Sequence, residues 1–569
     1  MEIFSSAVVR RALFAMMAVC VVMEGIFTGY EMTADGISYL DLSDLIARHQ
    51  WHWVVNAYWH PGYPALLLLG RTVLRSSLWN ELTAVRCVNV AIAGGLFLAV
   101  RFALRAAVEL RESFGFDRVE GALVPLRRET VGVFAAGITL LSVTRELGVG
   151  AVRPDVLLAM LLVFGAGFLM RVGARKNLLS YAGLGFCFGL AFLVKSVAFP
   201  TFAIVLLLLP FVAGSMKKAA KGFAVAVLIF AALAGPYIGA LSKQKGRFSA
   251  GDSGGLNYAW YVDGADRFEQ QKNEPSRYGL AKGELKHTSV QVLQDPAIYY
   301  YGTVMPGSEA QWLDPSYWND GLKPRFNVKA EARTMRYGLT IVVQYFVLRL
   351  QYVLLVLVLL MMGGRWRREE FGWRGAGPVL LLLAAGVGMY VVVYTEARYI
   401  ASAAVLALIV LVAFVRIPKG WQGAAAMGAF VFAGMVVCSS FTESMRDIKQ
   451  NKNAEGRAVG AYNRAIFTAG EGLGSAAGIQ PGDTVACLGE AACRDDFYWA
   501  RLAQVHVRTE MYVESEPISE VWERADKERV MAALRSTGAK ALVAKFGANV
   551  TPPSGWTRLG AGDFFVIYL

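Results

Sequence analysis

Charge is scarce in this sequence. Asp, Glu, Lys and Arg make up only 18% of its 569 residues and stand between long apolar runs, an arrangement that excludes an ordinary soluble protein of this size. Cysteine is scarce as well, with six residues in all. No CxxC pair or Cys/His cluster is present, which excludes a structural zinc site of the usual spacing. Cys20, Cys87, Cys187 and Cys438 lie inside apolar runs and read as small packing residues. No small-residue cleavage site follows the first apolar run, so that run reads as a membrane helix with a cytoplasmic N-terminus rather than as a signal peptide. The net charge of +13 does not argue for nucleic acid, because the basic residues cluster at the ends of apolar segments.

What is present in quantity is apolar surface: 55% of the residues are hydrophobic, with a mean hydropathy of +0.42. Apolar runs near 12–28, 84–108, 131–147, 154–171, 178–194, 197–213, 222–242, 338–362, 376–394, 399–415 and 422–440 predict about eleven transmembrane helices. Alternating the sides places every short basic loop together. These loops carry Arg111, Arg118, Arg127 and Arg128; Arg171, Arg175 and Lys176; Lys217, Lys218 and Lys221; Arg365, Arg367, Arg368 and Arg374; and Arg416 and Lys419. That is the distribution expected of cytoplasmic loops.

Three large polar segments fall on the opposite, extracytoplasmic side: residues 30–83, 243–337 and 441–569. In the first, residues 36–49 place Ile37, Leu40, Leu42, Leu45 and Ile46 at helical spacing with polar residues opposite, which predicts an amphipathic interfacial helix. Residues 63–74 predict a second interfacial or re-entrant helix. Beyond residue 440 the pattern changes to strand-like runs (484–488, 541–544, 564–568) alternating with helical ones such as Arg529–Ser536. The expected organisation is a transmembrane domain over 1–440, loops 30–83 and 243–337 included, and a small α/β domain over 441–569. An oxidising compartment on that side predicts a disulfide between Cys487 and Cys493.

Chemistry concentrates on the same side. Asp35 follows the first membrane helix, and the helix beginning at Gly36 presents its N-terminus near that carboxylate, which favours the charged form. The segment Trp59-His60-Pro61-Gly62-Tyr63-Pro64 then turns the chain back. A second acid, Asp155, opens a membrane helix after Arg153-Pro154.

The stretches DGISYLDLSDLI and WHPGYPALLLL resemble the first periplasmic loop of the C-type (GT-C) lipid-donor glycosyltransferases, the superfamily of the protein O-mannosyltransferases and the lipid A aminoarabinose transferase. Val152-Arg153-Pro154-Asp155, Gly189-Leu190-Ala191-Phe192-Leu193-Val194-Lys195-Ser196 and Glu396-Ala397-Arg398-Tyr399-Ile400 agree with that family in order and side. The resemblance covers the chain to about residue 415. It implies a polytopic α-helical fold and transfer of a sugar, with inversion, from a polyprenyl-phosphate donor to an acceptor hydroxyl. Asp35 is then the catalytic base and Asp155 the second acid. A base is needed because the hydroxyl ionises far above neutrality. Lys195 and Arg398, with Arg153 as a weaker candidate, would hold the leaving phosphate. Tyr39, His60, Tyr63 and Glu396 complete the candidate substrate contacts.

Family members that carry Asp-Glu at the first-loop motif differ from this chain, which has Gly36 in the second position. No metal ligand is therefore assigned to that pair, although His49, His52 and His60 in the same loop leave room for a divalent cation. Loop 243–337 also looks like that of proteins grouped loosely with family 39 glycosyltransferases. It is rich in aromatics (Tyr258, Trp260, Tyr261, Tyr299, Tyr300, Tyr301, Trp312, Tyr317, Trp318), suited either to stacking on sugars or to an interfacial belt. The expected partners are a polyprenyl-linked sugar, a glycan, lipid or protein acceptor and membrane lipid, with no nucleic acid; the expected location is a bacterial inner membrane. Two other readings compete. A flippase for a lipid-linked saccharide would need paired inverted halves, which the sequence does not show. A non-enzymatic assembly protein would depend on 441–569 and tolerate loss of Asp35.

Overall fold

A computed structural model describes residues 7–115, 123–267, 285–302, 305–345, 373–455, 461–513, 516–547 and 550–569. The chain forms two compact units. One comprises Met1–Thr28, Cys87–Asn257 and Phe326–Asp447; the other comprises Gly29–Arg86, Tyr258–Arg325 and Ile448–Leu569.

The first unit holds the apolar helices. Ten of the eleven expected runs are helical: Ala7–Val22, Glu81–Ser113, Arg128–Arg145, Asp155–Arg175, Leu178–Val194, Ala198–Ala213, Met216–Lys245, Trp373–Val391, Ala397–Ala413 and Gln422–Glu455. Four helices among the described residues are long and apolar enough to cross a bilayer by length and composition alone. Helix is the form these sequences must take in lipid, because each backbone N–H and C=O is satisfied within its own segment. The run at 338–362 begins in the helix Val328–Gln344 and continues outside the described residues, as do Arg118, Arg365, Arg367 and Arg368.

Packing in this unit uses small residues at close crossings. A Cβ on Gly185 would stand 2.3 Å from the Ala226 carbonyl oxygen, so only glycine lets Leu178–Val194 and Met216–Lys245 approach this closely. The rings of Phe202 and Phe230 stack at 4.4 Å beside Phe188. Ser444 Oγ donates to Glu24 Oε2 at 2.7 Å, and Arg145 pairs with Glu443.

The second unit is built on a seven-stranded sheet in the order Val290–Leu293, Ile298–Tyr300, His506–Met511, Thr484–Leu488, Ala541–Lys545, Phe564–Tyr568, Thr557–Arg558. The three central strands run parallel, and the strands flanking them on both sides are antiparallel. Strands were expected at 484–488, 541–544 and 564–568. His506–Met511 was not, because His506, Arg508 and Glu510 interrupt its apolar alternation. One sheet face packs Trp522, Val530, Leu534, Leu542, Phe546, Trp556 and Phe565 into a core. Cys487 and Cys493 are disulfide-bonded, with Cα atoms 5.5 Å apart.

This grouping cuts across the division expected at residue 440. The two outer strands at one edge come from loop 243–337, and the first loop belongs to the same unit. The helix Ala34–Ala47 is present where an amphipathic interfacial helix was expected, but both its faces are covered: Ile37, Tyr39, Leu40, Leu42 and Leu45 are buried, and so are Ser38, Asp41 and Ser43. Its polar side chains are engaged within this unit instead of being solvated. Arg501, 4% exposed, donates to Asp41 Oδ1 and Asp44 Oδ2 at 2.8 Å each and grips Glu81 through Nε and Nη2 at 2.7 and 2.8 Å. Arg71 pairs with Asp44 at 2.7 Å and Glu81 at 3.1 Å, and Tyr498 donates its hydroxyl to Glu81 at 2.9 Å. Burial pushes the Asp44 carboxyl up, but Arg501 and Arg71 outweigh it and hold the group below its ordinary range. Burial wins at Asp41, which is raised despite Arg501 and two hydrogen bonds from Ser308.

Removing one partner from a buried ion pair leaves the others uncompensated, at a cost of about 3–5 kcal/mol. Arg501→Ala should therefore lower stability by that order, read as the denaturant midpoint of the detergent-solubilised protein. Arg501→Lys should recover only part of it, because an ammonium cannot reproduce the two-pronged contact with Glu81. An unchanged midpoint for Arg501→Ala would refute the structural weight placed on this network.

Candidate functional site

Four of the residues singled out from the sequence meet at one end of the helical unit. Asp155 is the first residue of Asp155–Arg175; Lys195 directly follows Leu178–Val194, in extended conformation; Glu396 and Arg398 stand at the start of Ala397–Ala413. Lys195 Nζ lies 2.7 Å from Asp155 Oδ1, and Arg398 Nη1 lies 3.8 Å from Asp155 Oδ2. Arg398 also pairs with Glu396 at 2.5 Å. Asp155 is 4% exposed, and its Oδ2 accepts no hydrogen bond among the described residues, where Arg398 at 3.8 Å is its charged neighbour.

Tyr399, quoted in the sequence motif but given no role there, joins this cluster. Arg398 donates to its hydroxyl at 3.0 Å, Lys195 Nζ lies 4.9 Å from its ring centroid, and Tyr390 stacks on it at 4.9 Å. The aromatic faces add cation–π attraction to the ion pairs. Below the charges lies a small cavity of about 60 Å³, whose walls are apolar side chains of the membrane helices such as Leu158, Phe188, Leu382, Met389 and Leu406. The cluster therefore has a charged head and an apolar floor. Arg153 stands two residues before Asp155, its guanidinium beside Gly148.

Asp35 is in the other unit, in the first turn of Ala34–Ala47, where Thr33 caps the helix by accepting from the Gly36 N–H at 3.3 Å. It is half-buried. Trp312 Nε1 donates to its Oδ1 at 2.9 Å, and its Oδ2 accepts no hydrogen bond among the described residues. One oxygen is thus oriented while the other is left open. Trp312 is itself fixed from several directions. Its carbonyl accepts from Ser38 Oγ and Trp59 Nε1, each at 3.0 Å, and its backbone N–H donates to Glu309. Around it stand Tyr58, Trp59 and Trp260, at ring separations of 5.6 to 6.2 Å for the pairs that include Trp260 or Trp312.

Tyr39, Tyr63 and His60 differ from expectation. All three are buried, and Tyr39 packs edge-on against Trp59 and Tyr63 at 5.2 and 5.4 Å. In this structure they back the aromatic wall instead of presenting an open surface to a substrate, because the first loop is folded under loop 243–337. His49 and His52 are exposed, beside Trp51 and Trp53. Among the described residues no group of three or more His, Cys, Asp or Glu could hold a metal ion.

No family model matches the chain, and no curated protein matches it either. Among solved structures, the chain is similar to ArnT from Cupriavidus metallidurans bound to undecaprenyl phosphate, with a TM-score of 0.53 and 12% identity over 99% of this chain and 98% of that one. Two likenesses are weaker. The same organism's ArnT in the apo state gives a TM-score of 0.43 at 11% identity, covering 99% and 98% of the two chains. The Archaeoglobus fulgidus oligosaccharyltransferase tethered with an acceptor peptide gives 0.44 at 10% identity, covering 94% of this chain and 69% of that one. At these identities the likeness is one of fold. The chain has the GT-C-like architecture, a polytopic helical membrane protein carrying a sheet-bearing unit.

Glu309 connects this geometry to pH. It caps the short helix Ala310–Leu313 that carries Trp312, and burial pushes its carboxyl from an ordinary 4.5 to about 8. Between those values the folded chain holds a proton that the unfolded chain has released, so this contribution is complete at low pH and is lost as pH rises toward 8. The melting temperature of the wild-type protein should therefore fall from pH 5 to pH 8, and Glu309→Gln should flatten that fall. An identical slope in the variant would rule out Glu309 as the cause.

Proposed function

We propose that this protein is a membrane glycosyltransferase that moves a sugar from a polyprenyl-phosphate carrier to an acceptor hydroxyl on the extracytoplasmic face of a bacterial inner membrane, with inversion. The observation that carries the reading is the cation pair Lys195–Arg398 gathered around buried Asp155 at the head of an apolar cavity. Partly exposed basic groups above lipid-like walls suit an anionic headgroup with an isoprenoid tail. The ArnT structure of similar fold is one bound to undecaprenyl phosphate.

The roles follow from charge. Without donor, Asp155 and Glu396 balance Lys195 and Arg398, which keeps two cations together at low cost. An arriving phosphate exchanges places with the carboxylates as partner of Lys195 and Arg398, so Asp155 acts as a positioning group. Asp35 is the base. Its open Oδ2 takes the proton of the acceptor hydroxyl, whose oxygen forms the bond to the anomeric carbon from the face opposite the phosphate. The bond between that carbon and the phosphate oxygen breaks at the same time, and polyprenyl phosphate leaves with the electron pair, its charge stabilised by Lys195, Arg398 and Tyr399.

Turnover of synthetic polyprenyl-phosphate sugars by the full chain in nanodiscs tests these assignments. Asp35→Asn should cost about 10²–10⁴ in maximal rate with the melting temperature unchanged, the range a general base contributes. Lys195→Gln and Arg398→Gln should chiefly raise the donor KM, by about ten-fold or more. Wild-type turnover in Asp35→Asn would remove the base, and unchanged donor KM in both cation variants would remove the phosphate site.

A further inference from the structure

A second cavity, lined by none of the residues given a catalytic or donor role, lies within the sheet-bearing unit. It measures about 470 Å³, and its walls come from five separate places in the chain: 41–53, Leu78, 306–308, 481–482 and 501–508. Arg508 lines it and is only 8% exposed. Its Nη1 donates to the Gly302 carbonyl at 3.1 Å, and no carboxylate among the described residues pairs with it. Burial accordingly holds the guanidinium below its ordinary range.

A buried cation with one neutral partner is costly unless an anion compensates it. Arg501 cannot share its charge, being committed to Asp41, Asp44 and Glu81. Arg48, an exposed residue that caps the helix carrying Asp41 and Asp44, adds a second cation and has no ion pair among the described residues. The cavity also offers hydrogen-bond acceptors. Asp41 and Asp44 line it, with Asp41 fixed by the Ser308 N–H and hydroxyl at 2.7 and 3.0 Å. Gly307, at φ +113°, makes that turn; a Cβ there would stand 3.1 Å from Asp41 Oδ2. Trp53 supplies an aromatic face. The volume is in the range of small-molecule sites.

We infer that this cavity is a binding site for an acidic saccharide, a sugar bearing a phosphate or carboxylate group. The anionic group sits against Arg508 and Arg48, the hydroxyls donate to Asp41 and Asp44, and the ring lies on Trp53. Binding there does not rest on the transferase reading, although in a transferase this would be where a charged acceptor is held.

Calorimetric titration of the full chain in detergent distinguishes the sources. The probes are a hexose 6-phosphate, a hexuronate, the neutral hexose and inorganic phosphate. At least one acidic sugar should bind about ten-fold or more tightly than both the neutral hexose and inorganic phosphate, and Arg508→Gln should remove that preference while Arg508→Lys keeps part of it. Arg48→Gln and Trp53→Ala, at more exposed positions, should each weaken acidic-sugar binding with melting temperatures unchanged, which guards against a misfolded Arg508 variant. Equal affinity for the neutral hexose overturns the inference, as does phosphate binding as tightly as the sugar phosphate, or binding unaffected by all three substitutions. Asp35→Asn should bind the acidic sugar normally, so a failure of this site and a failure of the catalytic reading are separable.

Discussion

A single buried guanidinium holds the sheet-bearing unit to its shape. Arg501 reaches Asp41 in the first loop, Asp44 one turn further on, and Glu81 where the next long helix begins. These segments are more than 400 positions away in sequence. Burying three carboxylates and two arginines is expensive, and it succeeds because nearly every oxygen has a partner. The consequence extends to Asp35. The helix that presents it, Ala34–Ala47, is covered on both faces, and Trp312 is fixed against the same helix through Ser38.

The helical unit solves a related problem differently. Its charges are few and sit where helices start or stop: Asp155 at one N-terminus, Lys195 past a C-terminus, and Arg398 beside another N-terminus. Opposite charges at such ends satisfy each other without entering the apolar interior. The resulting cluster is compact and nearly neutral, and on the proposed reading an external phosphate takes the place of an internal carboxylate there. That economy makes it the natural head of a lipid-phosphate site on the proposed reading.

Much of this was legible in the residues. Apolar runs of bilayer length fix helices almost without regard to tertiary context, so ten of the eleven reappear, whereas the pairing of Lys195 with Asp155, 40 positions apart, is visible only in the structure. Strands rich in Val, Phe and Ala were equally readable. His506–Met511 was not, because its charged side chains are reserved for Gly307, Gly302 and Arg494 and hide the alternation. Nor could the first-loop helix be seen as buried, since an apolar stripe with acids opposite looks the same whether the acids meet water or an arginine supplied hundreds of residues later. Nor does the sequence disclose that Tyr39 and Tyr63 turn inward, since aromatic residues near a motif look the same whichever way they face.

The central claim is that Lys195 and Arg398 receive the phosphate of a polyprenyl carrier. A density map of the full chain with polyprenyl phosphate in nanodiscs tests it most directly. The account predicts a phosphate within about 3.5 Å of both Lys195 Nζ and the Arg398 guanidinium, with the isoprenoid leading away past Leu158 and Phe188. A phosphate bound elsewhere, with the Lys195–Asp155 pair intact, would contradict it.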